Sequence, residues 1–198
     1  MTISRNRPTL IIMVKEPLPG RVKTRLGRDI GVIPATWWFR HQTRRLIRRM
    51  RDPRWNIILA VSPDYKGLTS RFWPNSIERI GQGAGDLGAR MAHVLNVPDR
   101  GPVCIIGGDI PAISPAHIVR AFAQLGSNDF VFGPATDGGF WLVGAKRIKA
   151  LPPRLFGGIE WSTPNTLKHT VLSLGSVRVS FADRLSDVDT KSDLTSAH

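Results

Sequence analysis

Short apolar runs alternate along this chain with longer segments of helical periodicity. Thr9–Val14 (T-L-I-I-M-V), Asn56–Val61 and the run from Val103 to Ile106 are apolar at successive positions, the pattern of strands buried on both faces. Ser76–Ile80, Asp129–Gly133 and Val177–Phe181 read as further strands. Between them, Gly31–Asp52 is expected to be helical, with Phe39, Leu46 or Ile47, and Met50 on one face. Pro115–Leu125 repeats the pattern with Ile118, Val119, Phe122 and Leu125, and Ser162 or Thr163 is placed to cap a helix through about Leu174. Strands alternating with helices predict an α/β protein with a mostly parallel central sheet in three layers, α/β/α. No repeat, low-complexity segment or linker interrupts residues 1–198, so one domain is expected.

The run Val103-Cys104-Ile105-Ile106-Gly107-Gly108-Asp109-Ile110-Pro111 carries the first chemistry. Two glycines let the backbone turn after the strand, and Pro111 ends strand pairing. Asp109 therefore stands where a strand meets its loop, the usual ligand crevice of an open α/β sheet. A carboxylate there can hold a divalent cation, and through it a phosphate. The competing role is a cap for the helix starting near Ser114.

The first strand runs into Lys15-Glu16-Pro17-Leu18-Pro19-Gly20-Arg21-Val22-Lys23-Thr24-Arg25-Leu26. Two prolines stiffen this loop, and Gly20 permits close backbone approach. Lys15, Arg21, Lys23 and Arg25 crowd it with positive charge, which an anion would relieve. The order is not that of a Walker loop, and a solvated basic loop is the alternative. Farther on, Gln82-Gly83-Ala84-Gly85-Asp86-Leu87-Gly88-Ala89-Arg90-Met91 is a glycine-rich turn opening a helix. Gln82 and free amides there could read a base edge or phosphate, and Arg90, one turn in, could reach a phosphate. Asp86 alone is explained as a helix-start residue. The tip Thr136-Asp137-Gly138-Gly139 resembles a hairpin turn. Asp137 then serves the turn or faces a second substrate as a contact or base. Asp187 and Asp189 alternate, so an extended segment points both to one side, as cation ligands or as part of a solvated, helix-capping tail.

Charge refines this picture. The net charge of +13 is local: residues 1–60 hold 14 Lys/Arg against 3 Asp/Glu, whereas residues 61–198 hold 14 against 12. Arginines of the stretch 40–54 suggest nucleic-acid binding as an alternative function. That stretch lacks a recognition set of base-reading side chains, and a paired second helix with a turn. Nucleic acid is accordingly disfavoured. The single cysteine, Cys104, sits in an apolar strand and reads as core. No apolar run reaches a membrane span, and no signal peptide is legible, so a cytoplasmic protein is expected.

Taken in order, K-E-P-L-P-G-R-V-K-T-R-L, Q-G-A-G-D-L-G-A-R-M, G-G-D-I-P, G-P-A-T-D-G-G-F-W-L-V-G, W-S-T and D-V-D-T resemble a bacterial family of glycosyltransferase-like proteins of unknown substrate. That family has the GT-A, or nucleotide-diphospho-sugar transferase, fold. Its relatives include the phospholactate/phosphoenolpyruvate guanylyltransferase of deazaflavin cofactor synthesis and the molybdenum-cofactor guanylyltransferase. The resemblance covers residues 9–194 and implies a Mg²⁺- or Mn²⁺-dependent transferase. The reaction would be nucleotidyl transfer from an NTP to a phosphorylated small acceptor, or glycosyl transfer from a sugar nucleotide. It places Gly20, Lys23 and Arg25, beside Arg21, on phosphates, and Gln82, Gly85, Leu87 and Gly88 near base and ribose. Asp109 takes the position of the metal carboxylate, with Asp187 or Asp189 as a second ligand, and Asp137–Gly139 faces the acceptor. Lys23, Arg25, Asp109 and Asp137 would carry the chemistry. Two family patterns are missing: the fuller glycine-rich signature of sugar-1-phosphate nucleotidyltransferases, and an Asp-x-Asp pair at Asp109. An inert fold member remains a third alternative, and a homodimer is left open.

Overall fold

The computed structural model describes residues 7–186. Seven strands form one sheet: β1 (Thr9–Lys15), β2 (Asn56–Ser62), β3 (Glu78–Gly81), β4 (Val103–Gly107), β5 (Phe130–Pro134), β6 (Phe140–Ala145) and β7 (Val179–Phe181). Their order is β3-β2-β1-β4-β6-β5-β7. All neighbours are parallel except β6, which runs antiparallel to both β4 and β5. That exception follows from the tight turn at 136–139, which forces β5 and β6 into a hairpin.

Alternate residues of β1 enter opposite cores. Leu10, Ile12 and Val14 pack with Leu46, Ile47, Met50, Ile118 and Leu125 on one face. Ile11 and Met13 pack with Met91, Val94, Leu95 and Phe156 on the other. Helices α2 (Val32–Arg49) and α5 (Pro115–Gln124) thus cover the first face. Helices α4 (Leu87–Asn96) and α6 (Thr166–Ser173) cover the second, giving the expected three layers. Cys104 is buried in the first core, and burial pushes its thiol well above the ordinary range, which suits packing rather than nucleophilic chemistry.

The structure corrects several sequence expectations. The loop expected through Leu26 already turns helical at Thr24, forming α1 (Thr24–Ile30). Gly31, at φ 94°, separates α1 from α2. The expected helix to Asp52 stops at Arg49, so Arg51 and Arg54 of the basic stretch are not helical, and Arg54 pairs with Asp52 at 2.6 Å. A six-residue helix, α3 (Asp64–Thr69), follows β2. Neither Ser162 nor Thr163 caps α6. Ser162 has φ 62° and Pro164 intervenes, so the helix begins after Asn165.

Helix α5 is started by its own reciprocal cap. The Ser114 backbone N–H donates to His117 Nδ1 at 3.1 Å, so that nitrogen must be unprotonated. Burial, helped by Arg120 and Arg49, holds the imidazole below its ordinary value of 6.5, against the opposing pull of Asp183. The unfolded chain then binds this proton more readily than the folded one. The stabilisation is complete above about pH 6.5 and is lost as pH falls through the lower folded value. Replacing His117 with Gln, which also accepts at this position, should flatten the acid limb of a urea-unfolding profile measured between about pH 7 and pH 5.

Candidate active site

The strands β1, β3 and β4 end at one edge of the sheet, and β6, being antiparallel, begins there. A cleft of about 500 Å³ opens at that edge. Its size suits a small-molecule site. The β1–α1 loop supplies Lys15, Arg21, Lys23 and Arg25 to the lining, the end of β4 supplies Gly107–Asp109, and the 135–166 region supplies Asp137, Phe140 and Trp161.

Two oppositely charged side chains meet inside it. Lys23 Nζ lies 2.9 Å from Asp109 Oδ2, with the lysine side chain only 4% exposed and the carboxylate 36%. Lys23 is the N-cap of α1 and adopts a left-handed conformation, φ 45°, ψ 50°. Such a conformation is costly for a side chain bearing a Cβ, and it persists where the surroundings enforce it, often at functional sites. Asp109 is not the cap of α5, a role filled by Ser114. Its position is fixed from behind: Thr43 Oγ1 of α2 donates to the Gly108 carbonyl at 3.3 Å, and Gly108 packs against Val14.

Gln82 and Leu87 also line the cleft. Gln82 is buried, and its Nε2 donates to the carbonyls of Val14 at 3.2 Å and Ala60 at 2.8 Å. Both amide hydrogens are therefore committed to backbone, and only the side-chain carbonyl is left for a ligand. Four other sequence candidates stand off the lining. Gly20 is a loop residue at φ 72° with open space beside it. Gly85 forms the turn before α4, and Arg90 donates its Nε–H to the Gly85 carbonyl at 3.0 Å. Gly88 is a packing position, where a Cβ would come within 2.7 Å of Trp161 Cζ2. Asp86 caps α4, accepting from the Ala89 N–H at 2.8 Å. Asp187 and Asp189 lie outside the described residues.

Sequence reasoning missed the third wall. Residues 160–166 fold over the hairpin tip: Leu167 N–H donates to the Gly138 carbonyl at 3.0 Å, and Thr166 Oγ1 donates to the Glu160 carbonyl at 3.0 Å. Phe140 and Trp161 meet edge to face, with ring centroids 6.2 Å apart. The one available signal was W-S-T itself, an aromatic followed by two hydroxyls in a loop.

The described residues contain no group of three or more His, Cys, Asp or Glu able to hold a metal ion. The carboxylate at the end of β4 suits Mg²⁺ or Mn²⁺ arriving on a polyphosphate, because such ions take one or two carboxylates and complete their shell with phosphate oxygens and water. Asp109 offers a carboxylate oxygen to a cation of that kind.

The mostly parallel seven-stranded sheet matches the fold of solved structures, one of them named as a candidate nucleotide-diphospho-sugar transferase. The chain belongs to the DUF2064 family, an uncharacterized protein family conserved in bacteria, whose profile matches residues 46–163. A protein of Desulfovibrio desulfuricans G20 named as a candidate nucleotide-diphospho-sugar transferase is 26% identical. It matches over 92% of this chain and 82% of its own, with a TM-score of 0.79. The 4-diphosphocytidyl-2C-methyl-D-erythritol synthase of Anaerococcus prevotii DSM 20548 shares the fold at 12% identity and a TM-score of 0.62, over 98% and 97% of the two chains. Mycobacterium tuberculosis H37Rv Rv0371C, solved in complex with manganese, shares it at 17% identity and a TM-score of 0.54, over 96% and 97%. No curated protein matches the sequence. Among the described residues, no helix is long and apolar enough to cross a membrane.

Proposed function

We propose that this chain is a divalent-cation-dependent, nucleotide-using transferase acting on a small acceptor, by glycosyl or nucleotidyl transfer. The observation that carries the reading is the meeting of the basic β1–α1 loop with Asp109 in one cleft, Lys23 on the carboxylate at 2.9 Å. The names of the Desulfovibrio protein and the Anaerococcus synthase support a nucleotide substrate, and the manganese complex of Rv0371C supports a divalent cation.

In this reading Arg21, Lys23 and Arg25 bind the nucleotide's phosphates and stabilise the negative charge that grows on the leaving group. Asp109 holds the cation, which when bound would neutralise phosphate charge and orient the diphosphate. Lys23, already on Asp109, moves its ammonium between carboxylate and phosphate. Gln82 offers a fixed acceptor to donor groups of the base.

Thermal shift with the four NTPs and with sugar nucleotides, each with and without Mg²⁺ or Mn²⁺, tests this. A nucleotide at a hundred times its Kd should stabilise by about 2.7 kcal/mol. No shift with any nucleotide, together with identical behaviour of Asp109→Asn, would overturn the reading. The arginine face of α2 provides a contrast. Arg40 and Arg44 sit over the Phe72 ring at 4.7 and 4.4 Å, and Arg49 donates to the Pro111 carbonyl at 2.6 Å. Arg45 and Arg48 are exposed and do not line the cleft. Replacing both with Gln should leave the nucleotide shift unchanged. Tight, salt-steep binding of generic DNA or RNA that this pair abolishes would favour the nucleic-acid alternative.

A further inference from the structure

The two walls of the cleft differ in charge, and the difference bears on what the acceptor is. Every Lys or Arg of the lining comes from residues 15–25. The 135–166 wall contributes one carboxylate, Asp137, three hydroxyl-bearing residues, Ser162, Thr163 and Thr166, and the aromatics Phe140, Trp141 and Trp161, the first and last of these rings meeting edge to face, with no cation. A phosphorylated acceptor seated there would meet a carboxylate of like charge, with nothing on that wall to neutralise it.

The wall is also built rather than adventitious. Asp137 Oδ1 accepts the Gly139 N–H at 2.9 Å, which fixes the carboxylate's direction and leaves Oδ2 outside that bond. Thr163 N–H donates to Thr166 Oγ1 at 3.1 Å and ties the loop to the start of α6. Trp161 Nε1 is buried without an acceptor.

On the reading that the basic wall binds the nucleotide, we infer that the acceptor is an uncharged molecule bearing a ring and a hydroxyl group, and that the group moved is glycosyl. The ring lies against Phe140 and Trp161, and the hydroxyl faces Asp137. The acceptor oxygen bonds to the anomeric carbon of the donor sugar. The bond from that carbon to the diphosphate oxygen breaks, its electron pair leaving with the nucleoside diphosphate, and the hydroxyl proton passes to the Asp137 carboxylate. Nucleotidyl transfer to a phosphorylated acceptor would instead set that acceptor's phosphate against the Asp137 carboxylate.

The experiment compares two product channels with the wild-type chain and Mn²⁺. One measures nucleoside diphosphate released from sugar nucleotides, with water alone, with methyl β-D-glucoside or with glucose 6-phosphate. The other measures pyrophosphate released from NTPs in the presence of glucose 6-phosphate. The expected result is nucleoside diphosphate release that the neutral glycoside raises at least tenfold and that glucose 6-phosphate does not. Asp137→Asn should cut that release about a hundredfold while leaving the nucleotide-induced thermal shift in place. Pyrophosphate release, or preference for the phosphorylated sugar, would overturn the inference and leave the nucleotide-transferase reading standing. So would nucleotide binding with neither product. No nucleotide binding in any arm would remove both.

Discussion

Asp109→Asn is expected to lower transfer by roughly 10²–10³-fold and to abolish the dependence of nucleotide binding on Mg²⁺ or Mn²⁺. The substitution keeps the side chain's size and leaves an oxygen able to accept from Lys23, so the fold should be retained and unfolding midpoints should move little. What it removes is the negative charge a hard cation needs. The 2.9 Å contact between Lys23 and Asp109 adds a consequence. In the nucleotide-free protein, the ammonium already occupies one carboxylate oxygen. A cation alone competes with it, whereas a polyphosphate draws the ammonium away and brings further oxygens to the ion. Manganese followed by electron paramagnetic resonance should therefore bind wild type weakly by itself and much more tightly with nucleotide. Lys23→Gln should raise the affinity for manganese alone and weaken nucleotide binding. Because the two residues share one contact, their effects should not add in a double-mutant cycle. Retained metal dependence in Asp109→Asn would show that the cation sits elsewhere.

Strong local patterns made most of the sheet and the larger helices legible from the sequence. The apolar runs at 9–14, 56–61 and 103–106 are too β-branched and too short for helices, and Phe39, Leu46, Ile47 and Met50 share one helical face, all of them buried. What escaped had weak local signal. Helix α1 buries only Leu26, so it carries no stripe, and α3 contains Gly67, which reads as a breaker but is there because it packs directly on Val61. At the site, Lys15, Arg21, Lys23, Arg25, Asp109 and Asp137 stood out because they interrupt or end apolar runs, and one cleft brings all six together. The glycines of Gln82–Arg90 carry an ambiguous signal for a physical reason. A ligand-binding turn, a helix start and a close packing position all favour glycine, and only tertiary contacts separate them. The wall at 160–166 was invisible because its role depends on contact with a hairpin tip more than twenty residues earlier.

That contact is the basis of the second large effect. Gly138→Ala is expected to destabilise the chain by about 2 kcal/mol more than Gly175→Ala and, at temperatures where it remains folded, to reduce transfer about a hundredfold. Both glycines have positive φ, 89° and 70°, so each substitution incurs left-handed strain of about 1–2 kcal/mol. They differ in their surroundings. A Cβ on Gly175 meets nothing within 4 Å, whereas one on Gly138 would fall inside the backbone of Pro164. The excess for Gly138 therefore measures how tightly the hairpin tip is pressed against the 160–166 loop. To admit the methyl group the two must part, loosening the bond from Leu167 N–H to the Gly138 carbonyl and shifting Asp137, the adjacent residue, away from the aromatic pair. If Asp137 takes the acceptor proton as inferred above, a displacement of about 1 Å in its carboxylate suffices for a loss of that size. Urea unfolding of the two variants, with transfer measured on the same preparations, separates the outcomes. Equal stability losses would mean that the loop yields freely. A large stability loss with undiminished turnover would mean that Asp137 does not depend on this wall for its position.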